Sequence, residues 1–282
     1  MKWRLTRRQF LLGGAGAAFG VGVYTWRIEP RWVTVVRNDM PVRNLPPELD
    51  GKTLAQVSDL HSGPKVDASY LAACMRDLSA LRPDIVVVTG DVTDHGAVGA
   101  HAHDIETIFA ALVPPPLGTF AVLGNHDFGT AWSDLGAGAE VAAQLSSAGV
   151  TVLRNESRVV AGLRIAGVDD YWCPNFKPEA VFPRLDADEP TVVLCHNPDA
   201  ADRPVDWGRF RGWILSGHTH GGQCKPPFLP PPLLPVANKR YTAGAFDLGD
   251  GRSMYINRGL GHTLRVRFNV RPEITLHRLV RV

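Results

Sequence analysis

Five short apolar runs in this chain each stop at a cluster of aspartate, asparagine or histidine. Residues 54–57 run into Ser58-Asp59-Leu60-His61, and 85–88 into Gly90-Asp91, with Asp94 close behind. Residues 119–123 lead to Gly124-Asn125-His126-Asp127, 191–194 to His196, and 213–215 to Gly217-His218-x-His220. Unbroken apolar runs of this length read as strands buried on both faces. Helical spacing intervenes over 67–81, with Asp67 as N-cap, over 101–112 and over 140–148. Further strands are predicted at 32–36, at 159–160 and 163–168 around an Ala161-Gly162 turn, at 253–257 and at 273–279. Strand–loop–helix alternation of this kind predicts an α/β fold. Ligand sites in such folds gather where strands give way to loops, so five polar strand ends predict one shared site. Gly90, Gly124 and Gly217 are expected to let the backbone turn sharply out of three of those strands.

The residue types suit phosphate chemistry. A mixture of imidazole, carboxylate and amide donors fits a pair of divalent cations. Two such ions about 3.5–4 Å apart neutralise phosphoryl oxygens and lower the pKa of a shared water. In their set and order, the motifs between 54 and 220 resemble the calcineurin-like metallophosphoesterase superfamily. Gly221-Gly222-Gln223 and Arg258-Gly259-Leu260-Gly261 further resemble its bacterial membrane-associated phosphodiesterase branch, exported by the twin-arginine route. The resemblance implies an α/β fold of four layers, an α/β/β/α sandwich of two mixed sheets, with 27–282 as one catalytic domain. It implies that Asp59, His61 and His220 hold one metal and Asn125, His196 and His218 a second, with Asp91 bridging. Manganese, zinc and iron all suit those ligands. It places His126 beside the leaving group or the phosphoryl oxygens, with Asp127 orienting its ring and Asp94 bracing the loop. The implied reaction is hydrolysis of a phosphodiester, pyrophosphate or monoester by a metal-bridged hydroxide. A metal-stabilised scaffold without catalysis is the rival reading, and the full ligand set argues against it.

The first 26 residues are set apart by charge. They hold Lys2, Arg4, Arg7 and Arg8 and no acid, which leaves 26 basic against 28 acidic residues in the rest. A near-neutral body argues against nucleic acid as a partner. Thr6-Arg7-Arg8-Gln9-Phe10-Leu11 resembles a twin-arginine signal, and the 17 residues 10–26 are uncharged and rich in Gly and Ala. That is the short limit for a membrane span, and the bulky Val23-Tyr24-Thr25-Trp26 offers no small-residue cleavage site. Residues 1–26 therefore read as a twin-arginine signal or an uncleaved anchor, with the twin-arginine translocase as a partner. The body is expected at the outer face of the cytoplasmic membrane, where a lipid-linked phosphoester is an expected substrate.

Six prolines within 226–236 rule out a helix and disfavour a central strand, so this segment is expected to be stiff and extended. Its apolar members Phe228, Leu229, Leu233, Leu234 and Val236 either pack as a lid or dip into a lipid surface, with Lys225, Lys239 and Arg240 flanking. His101 and His277 read as surface or internally satisfied residues. His95 and His103 read as solvated loop, and His262 is left open between site and scaffold. Cys74, Cys173, Cys195 and Cys224 lack metal or redox spacing and read as free thiols, with one disulfide left open.

Overall fold

Alternate side chains of a strand face opposite ways, so an unbroken Ile85-Val86-Val87-Val88 must be covered on both sides. In the computed structural model, which describes residues 6–95, 101–202 and 205–282, that cover is a helical layer on one face and a second sheet on the other. The first sheet contains β1 (Thr34–Val42), β2 (Thr53–Val57), β3 (Ile85–Thr89), β4 (Thr119–Val122), β5 (Val150–Val152) and β12 (Glu273–Arg281), in the order β1-β12-β2-β3-β4-β5. The second contains β6 (Glu156–Val160), β7 (Leu163–Gly167), β8 (Thr191–Leu194), β9 (Gly212–Ser216), β10 (Gly244–Asp247) and β11 (Arg252–Ile256), in the order β10-β11-β9-β8-β7-β6. Both are mixed: β2 to β5 run parallel while β12 opposes β2, and β7, β8, β9 and β11 run parallel between antiparallel edges β6 and β10.

Val86 and Val88 face the helices α2 (Ala68–Ala80), α3 (Asp104–Phe109) and α4 (Leu135–Ser147), where Leu71, Met75, Ile108 and Val141 meet them. Ile85 and Val87 face the other sheet and join Leu54, Val122, Ile165, Val192 and Leu215. Each such side chain taken from water stabilises the fold by roughly 1.5–3 kcal/mol. Polar groups between the sheets pair with one another: Gln56 donates to the Ser216 carbonyl at 2.9 Å and meets His277 Nε2 at 3.1 Å. On the far side of the second sheet, Val193, Ile214 and Met254 are covered by Phe182, Trp207 and Phe210. This fourth layer is made of single 3-10 turns, Pro178–Ala180, Phe182–Arg184 and Pro198–Ala201, each with proline in its first two positions.

Several boundaries differ from expectation. Strand β1 continues through Asn38, Asp39 and Pro41, which an edge strand tolerates because one row of its backbone groups needs no partner. Helix α4 begins at Leu135, where the Asp134 carboxylate caps Gly136 and Ala137 N–H; Gly136 and Gly138 mask that start in sequence. Asp67 precedes α2 but makes no cap bond, because its carboxylate pairs with Arg31 at 2.6 Å. Residues 225–236 form neither helix nor strand.

The N-terminal helix α1 (Arg7–Val23) buries none of its residues, and Phe10, Leu11, Leu12 and Phe19 are all exposed. Among the described residues no helix is long and apolar enough to cross a membrane. Its base is nonetheless fixed. The Thr25 carbonyl accepts from Arg267 N–H at 3.0 Å, and the buried Glu29 carboxylate accepts from Val270 N–H at 2.6 Å. The buried Arg267 guanidinium in turn donates to the carbonyls of Arg258, Gly259, Gly261 and Val270.

Candidate metal centre

Because β2, β3 and β4 are parallel neighbours in one sheet and β8 and β9 in the other, their carboxyl ends open on one edge of the sandwich. The loops there bring Asp59, His61, Asp91, Asn125, His196, His218 and His220 into one buried cluster. Asp91 Oδ2 lies 3.4 Å from His61 Nε2 and 3.1 Å from His196 Nε2, between two groups of donors. On one side Asp59 Oδ1 is 3.4 Å from His220 Nε2, which is 3.0 Å from His61 Nε2. On the other, His218 Nδ1 is 3.3 Å from His196 Nε2. The Asn125 amide oxygen is buried without a hydrogen-bond partner.

The surrounding carbonyls decide where the ring protons sit. A carbonyl only accepts, so His196 Nδ1, 2.7 Å from the Thr89 oxygen, carries hydrogen and leaves Nε2 with a lone pair. His218 is the mirror case: Nε2 donates to the Pro235 carbonyl at 2.8 Å and leaves Nδ1 bare. With His196 neutral, two lone pairs would face each other at 3.3 Å, an arrangement a cation between them relieves. Against burial, Asp91 beside it drives His196 well above its usual value, so a proton takes that place until a cation does. Burial, with His196 beside it, pushes the His218 imidazole down to about 3; burial with His61 beside it drives His220 well below its usual value. Both are therefore neutral ligands at neutral pH. Burial alone would raise the Asp91 carboxyl, yet His196, His126 and His61 around it hold it well below the usual range. Burial raises the Asp59 carboxyl, whereas against burial the carboxylates beside His61 and His196 raise those two imidazoles. Four imidazoles, two carboxylates and one free amide oxygen are nonetheless a donor set that fits two divalent cations, which would displace those protons.

The backbone is strained to achieve this. Asp59, His61, Asp91, His218 and His220 all have positive φ, between 48° and 69°, at a cost of about 1–3 kcal/mol each. Of the three motif glycines only Gly90, at φ +92°, needs a left-handed backbone. Gly124 and Gly217 are needed for space: a Cβ on Gly124 would fall 2.2 Å from Asp91 Oδ1, and one on Gly217 2.3 Å from Asp59 Oδ2.

The predicted partnership of His126 and Asp127 is not present. They are consecutive in a 3-10 turn, Asn125–Phe128, whose three residues per turn send neighbouring side chains apart. The Asp127 carboxylate instead accepts from the N–H groups of Val92, Thr93 and Gly124 and from the Thr93 hydroxyl. Burial, and then Asp91, raise it to about 6. It ties the β3 loop to the β4 loop. The His126 ring is oriented by Asp94, whose backbone carbonyl accepts from Nδ1 at 2.8 Å. The Asp94 carboxylate is 3.1 Å from Lys65 Nζ and 3.7 Å from His61 Nδ1.

A cavity of about 430 Å³ opens from the cluster. It is lined by Asn125, His126, Trp132, Trp172 and His218 and by the apolar Pro232, Leu233, Leu234, Leu264 and Val266. Spacing in the sequence gave no sign of the two tryptophans. Asp170 was legible but overlooked, since it follows β7 as the other acids follow their strands; it is buried, which raises it to about 7. His95, read as solvated loop, stacks 5.3 Å from His126 at the rim. His262 is buried against the Lys65 carbonyl, His277 lies between the sheets, His101 pairs with Asp104, and His103 is exposed. All four cysteines are free.

The proline-rich segment divides. Val236 is buried and Pro235 holds His218, whereas Phe228, Leu229 and Leu233 are exposed. Of the three flanking cations, all exposed, Lys239 donates to the carbonyls of Leu234 and Val236.

Two six-stranded mixed sheets with a His/Asp cluster at their shared edge define a metal-dependent phosphoesterase, and the calcineurin-like phosphoesterase family profile matches residues 52–222. The chain belongs to that family. It is 33% identical to the Bacillus subtilis metallophosphoesterase YkuE, over 98% of both chains. It is 32% identical to the Escherichia coli phosphodiesterase YaeI, over 98% of this chain and 100% of that one. A UDP-2,3-diacylglucosamine pyrophosphatase, LpxG of Chlamydia trachomatis, is 27% identical over 91% of this chain and 93% of its own.

Proposed function

We propose that this hydrolase cleaves a phosphodiester or pyrophosphate link in a lipid-linked substrate, from a position at the outer face of the cytoplasmic membrane. The carrying observation is the juxtaposition of the two facing imidazole pairs with an aliphatic cavity wall, which gives one molecule room for both a phosphate and an acyl chain. The diacylated substrate in LpxG's name is of that class. Asp59, His61 and His220 would hold one divalent cation and Asn125, His196 and His218 another, with Asp91 shared. Bound there, the cations would neutralise phosphoryl oxygens and supply a water of lowered pKa. The chain's own part is orientation and proton transfer. His126 Nδ1 is committed to the Asp94 carbonyl, so Nε2 is the nitrogen free to give a proton to the departing oxygen when the ring is charged. Its backbone N–H donates to Asp91 Oδ1 at 2.9 Å, which locks its place relative to the residues that would hold the cations.

Export and anchoring fall to residues 1–26, since an apolar helix with no buried residue needs a cover that the body does not give it. Arg267 and Glu29 would then hold the cavity mouth near the lipid. Phe228 and Leu229, with Lys225 beside them, would enter the interface, at roughly 1.5–3 kcal/mol per large side chain. The test uses purified full-length chain reconstituted with manganese, on a soluble bis-aryl phosphate and on an acylated phosphodiester in vesicles. Both should turn over, and Phe228→Ser with Leu229→Ser should lower only the second. Equal loss on both would mean that the tip merely packs, and no turnover of either would overturn the reading.

A further inference from the structure

The lining of the cavity is of two kinds, aromatic and aliphatic. Trp132 and Trp172 stack on each other with centroids 5.1 Å apart and planes 24° off parallel. They continue a row of rings around the metal cluster: His126 is 6.1 Å from Trp132, and Trp172 meets His218 edge-on at 4.5 Å. Each indole remains 36% exposed at the mouth, although a well-packed core would cover it. Elsewhere in the chain, Trp207 and Trp213 each donate N–H to a carbonyl at 2.8 Å. Among the described residues neither Trp132 nor Trp172 has such an acceptor, so both donors remain available. Trp132 also sits at φ 56°, a conformation that bulky residues rarely adopt and that marks functional positions when it persists.

We propose that Trp132 and Trp172 form the subsite for the polar half of the substrate, and that this half carries a planar aromatic ring, as in a nucleoside. The inference rests on the reading of the cluster as a phosphoesterase centre. Stacked indoles offer a flat, sequence-tolerant face for a base, and the free N–H groups can meet its carbonyl or ring nitrogens. The indoles form one row of rings with His126 and His218, so a group stacked on them lies beside His126, while the apolar lining comes from two other segments, 232–234 and 264–266. The substrate is thereby oriented with its ring-bearing group toward the proton donor as the leaving half, and its acyl chain along Leu233 and Leu264. Breaking the P–O bond on the His126 side passes the proton of His126 to the ring-bearing oxygen, while water oxygen bonds to the phosphorus kept by the acylated half and the proton that this water loses restores the one His126 gave.

Direct titration separates this inference from the reading beneath it. Full-length chain loaded with manganese is titrated calorimetrically with a nucleoside 5′-monophosphate, with ribose 5-phosphate and with inorganic phosphate, and its turnover of a bis-aryl phosphate is measured in parallel. The nucleotide should bind about 5- to 150-fold more tightly than ribose 5-phosphate, the range that one stacked base contributes. Trp132→Ala and Trp172→Ala should each erase most of that preference and leave inorganic phosphate binding unchanged; Trp132→Phe should keep it. Equal affinity for nucleotide and ribose phosphate in the parent chain, or a preference that survives both alanine variants, overturns the proposal while diester turnover leaves the metal reading intact. A chain that turns over no phosphoester would instead overturn that reading.

Discussion

A single methyl group at Gly217 should empty one metal position and spare the other. The Cβ of Gly217→Ala would lie 1.9 Å from Ser58 Oγ and 2.3 Å from Asp59 Oδ2, against a normal closest approach of 3.0–3.4 Å. The Asp59 carboxylate must therefore retreat by about 1 Å, several times the ±0.2 Å tolerance of a metal–ligand bond. It cannot retreat freely, because both its oxygens accept from His218 N–H, at 3.0 and 3.1 Å. Gly217 does not have a left-handed φ, so alanine brings no backbone penalty and the effect is steric. Overpacking of this size costs about 1–3 kcal/mol, less than a domain's usual reserve of about 5–15 kcal/mol, so the variant should fold. Affinity should fall by at least 10–100-fold at the Asp59–His61–His220 position, with the Asp91–His196–His218 position nearly unchanged. Adding Ser58→Ala clears the hydroxyl but not the carboxylate, so stability should recover while the metal stays weak. Titration calorimetry with manganese and thermal melts read both quantities. Two metals bound with parental affinity in Gly217→Ala would refute the reasoning, as would metal recovered by Ser58→Ala.

His126→Ala should retain both metals and lose about 10²–10⁴ in rate on alkoxide leaving groups, but much less on nitrophenolate, which departs unaided; steady-state rates on the two substrate types check this. His277 is pushed down to about 3 by burial, so the unfolded chain binds a proton that the folded chain refuses. Its contribution is present above about pH 6.5 and is lost as pH falls toward 3, on the order of 3–5 kcal/mol in full. His277→Gln should flatten the acid limb of urea-unfolding stability between pH 6.5 and 4, and an unchanged limb would exclude it as a source. Replacing Arg7 and Arg8 with lysine should retain the protein inside the cell; unaltered fractionation would remove the twin-arginine reading.

The strands that carry the site were legible because parallel strands buried on both faces must be written as continuous apolar runs, and 85–88 and 192–194 are just that. Strands β5 and β10 were not, since three or four residues containing Thr151 or Gly244 and Asp247 make no such run. The polar strand ends were legible as a set; their second partners were not. Nothing local tells that Asp94 presents a carbonyl to His126, that Asp127 faces backbone amides, or that Pro235, 17 residues from His218, fixes its tautomer. Those links depend on side-chain direction within turns and on loops meeting across the two sheets. The tryptophan wall was hidden for the same reason, its halves being 40 positions apart and joined only through space.

The position of β12 bears on when the protein becomes a protein at all. This strand, Glu273–Arg281, lies between β1 and β2 and pairs with both. Until it emerges from the ribosome, the sheet bearing Asp59 and Asp91 has a missing rib. The first-made strands wait with open edges for the last-made one, a topology of high contact order that folds slowly. His218 and His220 likewise reach Asp59 across 159 and 161 positions, so metal capture comes late in the chain's birth. The helix carrying Arg7 and Arg8 buries none of its residues and takes no part in that closure. An order of closure follows from the strand order alone: open sheet first, missing rib second, joined cluster third.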